Sequence, residues 1–387
     1  MARLLHPPAR AGKPLRGGAE PLGAGLVEQR GRGPAVDRQQ LASRPSGPAP
    51  STRASARVTA PGAAHPDDVA RPESGAAEAA GHAKSPWTLF WRRLRSDRVS
   101  MAALGFLVAL VLAAGAGAPI AAHWTGHGPN EQIDAAVGAD GVPIGPLGRT
   151  FKADSVTPNP HGDVFVLGAD TIGRDMLVRL LYGARVSLIV AVGATGISLL
   201  AGVIFGLAAG WFGGLTDAVI SRAVEAGMAF PALLLAIGVA VVLGPGLVNV
   251  LVIIALFTWY YPARIVRGEV LRIRSSTLVE AARSIGATDA RILRRHVLPQ
   301  VTAPLVVYAT TVIAGNIMFE AGLSYLGVGV PPPTASWGQM LSDSIDSGLF
   351  FTAPFLAIVP GFALVLTMLA FNVFGDGVRE ALYGDAT

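Results

Sequence analysis

Residues 186–216, VSLIVAVGATGISLLAGVIFGLAAGWFGGLT, run for 31 positions between Arg185 and Asp217 with no ionisable side chain. A helix crosses the bilayer core with about 20 predominantly apolar residues. The run therefore predicts one membrane span with residues to spare, and a short turn at Trp211-Phe212-Gly213-Gly214. Working outward, runs of the same kind recur. Residues 99–122 lie uncharged between Arg98 and His123 and read as the first span. Residues 226–263 are uncharged for 38 positions, too many for one helix, and Gly244-Pro245-Gly246 divides them into a third and a fourth span. Residues 301–317, extended to about Leu326, make the fifth. Residues 347–375 make the sixth, with Pro354 and Pro360 expected as kinks whose freed backbone groups neighbouring helices satisfy. The expected fold class is all-α, a polytopic membrane protein with six transmembrane helices.

Composition agrees. Only 15% of the 387 residues are charged and 51% are apolar, whereas an average soluble domain is about 25% charged. Mean hydropathy stays at +0.48 despite 47 Gly and 28 Pro, which excludes collagen-like and wholly disordered chains. Cysteine is absent, so there is no disulfide framework, thiolate zinc site or Cys nucleophile. The pI of 9.9 arises mainly in residues 1–83, with 11 Arg/Lys against 7 Asp/Glu. That segment also holds 11 prolines and no apolar periodicity, so it is expected to be a disordered tail. Nothing in it resembles the apolar h-region of a signal peptide. Residues 84–387 are nearly neutral, with 20 basic and 19 acidic side chains, and the bilayer rather than nucleic acid is the expected partner.

The loops set an orientation. Lys84, Arg92, Arg93, Arg95 and Arg98 precede the first span, and residues 264–298 contain eight Arg and three acids. Residues 326–350 contain Asp343 and Asp346 and no Arg or Lys. The positive-inside rule puts the first two segments in the cytoplasm and the last outside. Residues 123–185 then form an extracytoplasmic loop, 264–299 a cytoplasmic loop, and both termini are cytoplasmic.

Several chemistries are missing. The three lysines, Lys13, Lys84 and Lys152, fit no phosphate-cradling P-loop, so ATP is not bound here in that way. There is no H-E-x-x-H metal site and no G-x-S-x-G elbow. Glu320 is the one ionisable residue well inside a span. It lies roughly 28 Å along from Val301, near the outer interface, which suits a helix-end hydrogen-bond partner better than a proton relay. Arg222 and Glu225, three residues apart, read as a surface pair.

The basic loop is the most informative stretch. Thr277-x-x-Glu280 has the capping-box spacing, so a short helix is expected there, and Gly286 fits a left-handed C-terminal cap. Thr288 can cap a second helix from Asp289, and Pro299 opens the next span. Helices of about two turns are marginal in water, so the first needs a partner surface. Ala281 and Ala282 permit close docking; a helix lying on the membrane surface also fits the basic residues.

Glu280-Ala281-Ala282, then Gly286-Ala287, then Leu298-Pro299 resemble the EAA loop of ABC-importer permeases. His296, where Ile is common in the broad pattern, is similar to the peptide-importing branch. Other segments resemble the C-type subunit of dipeptide, oligopeptide and nickel permeases. These are residues 168–185 before the second span, Ala229-Phe230-Pro231, residues 320–327 with Pro332 and Trp337 in the loop beyond, and Gly375-Asp376-Gly377.

The resemblance implies a non-catalytic subunit of an ATP-driven importer for dipeptides, oligopeptides or a related small solute in a bacterial cytoplasmic (inner) membrane. It implies that Glu280 to Gly286 form a coupling helix docked in a separate ATPase. Further partners would be a homologous B-type permease, two ATPase subunits carrying ATP and Mg, and an extracytoplasmic substrate-binding protein. The chain itself would hold no cofactor and no metal. A carrier driven by an ion gradient and acting alone is the alternative. Two readings stay open in detail. Gly202, Gly206 and Gly210 form a tandem G-x-x-x-G suited to close helix packing, within this subunit or against another. The segment around Pro331-Pro332-Pro333 and Trp337 can contact a binding protein, with Trp337 anchoring at the interface, or plug the chain's own helices.

Overall fold

The computed structural model describes residues 86–384; the tail at 1–83 lies outside the described residues. A short amphipathic helix, α1 (Pro86–Ser96), ends at Asp97. The Asp97 carboxylate accepts the amides of Val99 and Ser100 and so starts α2 (Arg98–Leu112). A π turn (Ala113–Gly117) carries α2 into α3 (Ala118–Thr125), which Gly126 ends in the left-handed region. Together they form the first span, Arg98–Thr125. The following loop carries a two-stranded antiparallel ribbon, β1 (Gly148–Arg149) and β2 (Val164–Phe165).

Asp175 then caps α4 (Met176–Phe212), accepting the amides of Leu177 and Val178. This 37-residue helix is roughly 55 Å long, well beyond a hydrocarbon core of about 30 Å. The expected loop at 123–185 thus ends ten residues early. Arg179 and Arg185 interrupt an uncharged run but not a helix, and Arg185 donates to the carbonyls of Ala114 and Gly115 in the π turn. The expected turn at Gly213-Gly214 is present, both residues having positive φ.

The third span is a correction. α5 (Gly214–Ala229) and α6 (Ala232–Leu243) meet at 94° and form a broken pair rather than one straight helix. Proline disfavours the α conformation in the residue before it, and Phe230 is accordingly extended at φ −107°, ψ 147° ahead of Pro231. Gly244 has φ 78° and opens the expected second break. α7 (Leu247–Leu256) and α8 (Tyr260–Arg274) follow as one 28-residue span. It runs past Ala263 through the arginines assigned to the loop. The loop thus contributes only α9 (Thr277–Ser284) and its connections, because α10 (Asp289–Ile292), a π turn (Leu293–Val297) and α11 (Leu298–Tyr325) make one continuous span. Helix reaches into the charged stretch from both sides, through Arg274 at one end and from Asp289 at the other. A further helix, α12 (Trp337–Asp346), occupies the segment expected as a loop. The last span, α13 (Phe355–Tyr383), begins after Pro354, which is its N-cap and not a kink; Pro360 lies within it, and the helix continues through Gly375-Asp376-Gly377.

The spans assemble around α4. Gly202, Gly206 and Gly210 are buried against α8 of the same chain, which decides between the two packing readings. A Cβ on Gly202 would stand 2.6 Å from Pro262 Cγ, on Gly206 2.6 Å from the Ala263 carbonyl, and on Gly210 2.7 Å from Val270 Cβ. Gly196, on the same helix, is exposed with nothing within 4 Å of a Cβ. Gly206→Leu is therefore expected to cost about 1–3 kcal/mol or more by overpacking, whereas Gly196→Leu should be neutral. Thermal unfolding of the two variants in detergent, side by side, checks this; equal midpoints would refute the packing argument.

Candidate functional site

The two ends of α4 carry two distinct constructions. At the Phe212 end, α9 docks on the chain itself. Val279 and Ala282 are buried in a cluster with Trp211, Val266, Val270, Ile273, Ile292, Val297 and Val301, which supplies the partner surface a two-turn helix requires. Arg283 lies over the Trp211 ring at 5.1 Å and pairs with Asp289 at 3.5 Å. The other face is open. Glu280 and Ala281 are exposed, as are Leu278 and Ile285, the latter at 86%. Leu278, Ala281 and Ile285 follow i, i+3, i+7 spacing and so form one stripe.

The helix ends as the sequence predicts. Gly286 has φ +81°, its amide donates to the Arg283 carbonyl, and the Ala287 amide donates to the Ala282 carbonyl. These two bonds are a Schellman closure. No atom lies within 4 Å of a Gly286 Cβ, so only the backbone conformation demands glycine there. The start differs. Ser276, not Thr277, is the N-cap, and its buried hydroxyl makes no bond, so the capping box is not formed. Thr288 holds the cap position before α10, but its side chain makes no capping bond. Leu298 and Pro299 are exposed in the first turn of α11, on a helix already running from Asp289.

At the Met176 end, Glu320 and Trp337 come together. Glu320 is fully buried and accepts from Ser187 Oγ at 2.9 Å on α4 and from Ser324 Oγ at 2.8 Å on α11. A buried charge-bearing group is tolerated only when its acceptors are filled, and here hydroxyls from two spans fill them. Trp337 does not anchor at an interface. It is 1% exposed, donates from Nε1 to the Leu180 carbonyl at 2.9 Å, and packs with Met176, Ala184, Leu188, Ile317, Ala321 and Met340. Its ring lies against Gly183, where a Cβ would stand 3.2 Å away. The plug reading therefore holds for α12, while Pro332 stays exposed on the rim.

An ionic cluster beside this plug was not identified from the sequence. Asp170 pairs with Arg174 and with Arg179 Nε at 3.2 Å, and Arg174 also reaches Asp343 at 3.3 Å on α12. Arg179 is 1% exposed and donates to the Pro129 carbonyl. The four-residue spacing of Asp170 and Arg174 is visible in the sequence; the contribution of Asp343, 169 residues on, is not. Arg222 and Glu225 form the expected exposed pair at 2.6 Å.

One end presents a small docked helix, the other a packed closure. Residues 202–384 match the family model described as binding-protein-dependent transport system inner membrane component. Residues 85–137 match the N-terminal TM domain of oligopeptide transport permease C. The glutathione transport system permease protein GsiD of Escherichia coli O6:K15:H31 is 38% identical over 299 residues, covering 77% of this chain and 90% of that protein. The GsiD protein of Pectobacterium atrosepticum is 36% identical over 299 residues, covering 77% and 91%. Among solved structures, an inward-facing MetNI methionine ABC transporter aligns with a TM-score of 0.43 and 22% identity, over 53% of this chain and 97% of that one. On the extent and identity of the matches to its relatives, the chain belongs to the dipeptide, oligopeptide and nickel family of ABC-importer permeases, as a multi-pass membrane subunit.

Proposed function

We propose that this subunit forms one half of a peptide translocation path and pairs with a homologous B-type permease. Its solute would be a dipeptide, an oligopeptide or a glutathione-like peptide, delivered by an extracytoplasmic binding protein. Two ATPase subunits, carrying ATP and Mg, would dock beneath, and both termini would be cytoplasmic. The chain itself performs no covalent chemistry. One observation carries the reading: α9 is pinned to the spans by Val279 and Ala282 while Leu278, Glu280, Ala281 and Ile285 face outward. Such a helix passes a push from a partner to the bundle, and packed helices respond by rigid-body movement between discrete arrangements.

Vesicles containing the two permeases and the ATPase subunits, supplied with the binding protein, should take up labelled dipeptide or glutathione only with ATP. An ionophore that dissipates ion gradients should leave uptake intact. Uptake that persists without the ATPase and stops with the ionophore would overturn the reading in favour of a gradient-driven carrier.

A further inference from the structure

A lateral groove lies outside both constructions. Trp87 and Phe90 of α1 form one wall, Pro299, Ala303 and Val306 of α11 another, and Leu382 of α13 closes it, around a volume of about 390 Å³. From Pro299 to Val306 it follows α11 for two turns, roughly 10 Å. All three elements lie beside the ends of spans: α1 directly precedes the first, Leu382 is in the last turn of α13, and Pro299, ten residues into the span Asp289–Tyr325, comes one turn after the last arginine of that span, Arg295. The groove therefore starts at the membrane boundary and runs inward.

The charge flanking it on α1 and just before α11 is basic, and the acids at the neighbouring end of α13 are Asp376 and Glu380. No lining residue is charged, α1 contains no acid, and α11 contains none before Glu320. Arg295 precedes the groove by one turn on the π turn before Leu298, and Arg379 precedes Leu382 by one turn on α13. Both are exposed, and neither forms an ion pair among the described residues. Glu380 lines a separate polar pocket with Arg93, Ser96 and Asp97. Trp87 and Trp91 are 64% and 45% exposed on α1, as aromatic residues at the lipid boundary commonly are. Arginines beside an apolar cleft at this level suit a ligand with an anionic head and a long apolar tail.

We propose that this groove binds an anionic phospholipid of the bilayer, with one acyl chain along Ala303 and Val306 and the phosphodiester at Arg295 and Arg379. Native mass spectrometry of the full chain in detergent, titrated with dioleoylphosphatidylglycerol or dioleoylphosphatidylcholine, tests it. Each surface arginine strengthens binding of an anionic headgroup about fivefold, so retention of the glycerol lipid should exceed that of the choline lipid about twenty-five-fold. The double variant Arg295→Gln/Arg379→Gln should bring the ratio near one. Ala303→Trp, which fills the groove, should abolish retention of both lipids. Equal retention of the two lipids by the unaltered chain would overturn the proposal. So would a preference that survives either variant, or one that vanishes when the other permease subunit is bound, which would make the groove a subunit interface.

Discussion

Asp170→Ala is expected to lower the stability of the Met176 end by about 3–5 kcal/mol, the usual cost of removing one member of a buried ion pair. Both arginines that Asp170 faces are nearly inaccessible, Arg174 at 5% and Arg179 at 1%. After the change, Arg179 would lose its ion-pair partner and Arg174 would keep the longer contact to Asp343. Asp170 also accepts the amides of Ile172 and Arg174, so the turn into α4 would lose its scaffold. Asp170→Asn retains an acceptor for those amides but not the charge, and should fall between. Glu225→Ala removes an exposed partner of Arg222 and is worth at most about 1 kcal/mol. Unfolding midpoints of the three variants in one detergent rank them. If Asp170→Ala melts with Glu225→Ala, the cluster is not structural.

Gly286→Val is expected to cut ATP-driven uptake at least tenfold with little loss of folded protein. A β-branched residue at φ +81° costs roughly 1–3 kcal/mol, and the cost falls on the Schellman closure alone because the space around Gly286 is open. Losing that closure would misdirect Ile285 and the end of α9, while Val279 and Ala282 remain seated in the cluster with Trp211. Gly286→Asn, which tolerates the left-handed region, should retain much of the uptake. ATP hydrolysis and uptake measured on the same vesicles separate the outcomes. Full uptake in Gly286→Val would remove the basis for α9 as the coupling element.

What the sequence made legible follows from the kind of signal involved. The spans were readable because about 20 consecutive residues without a charge are what a bilayer demands and what a water-facing helix rarely tolerates. Their ends were not, since Arg179, Arg185 and Arg264 to Arg274 continue helices that a charge-based boundary cuts short. Gly286 was readable because its role is local backbone conformation. The cap falls one residue before the expected one: Thr277-x-x-Glu280 has the capping-box spacing and Ser276-x-x-Val279 does not, yet Ser276 is the extended residue ahead of the helix and Thr277 is already helical. Trp337 was open to two readings, and only the Leu180 carbonyl and Gly183, some 150 residues away in the chain, settle which holds.

The length of α4 has a mechanical consequence. Near one tip, Trp211 touches Arg283 of the docked helix; near the other, the Leu180 carbonyl holds Trp337. One uninterrupted rod thus bears on both faces of the protein. Over roughly 55 Å, each degree of tilt about one tip displaces the other by about 1 Å. A small stroke applied at one tip would become ångström-scale travel at the other without any relay of intermediate parts.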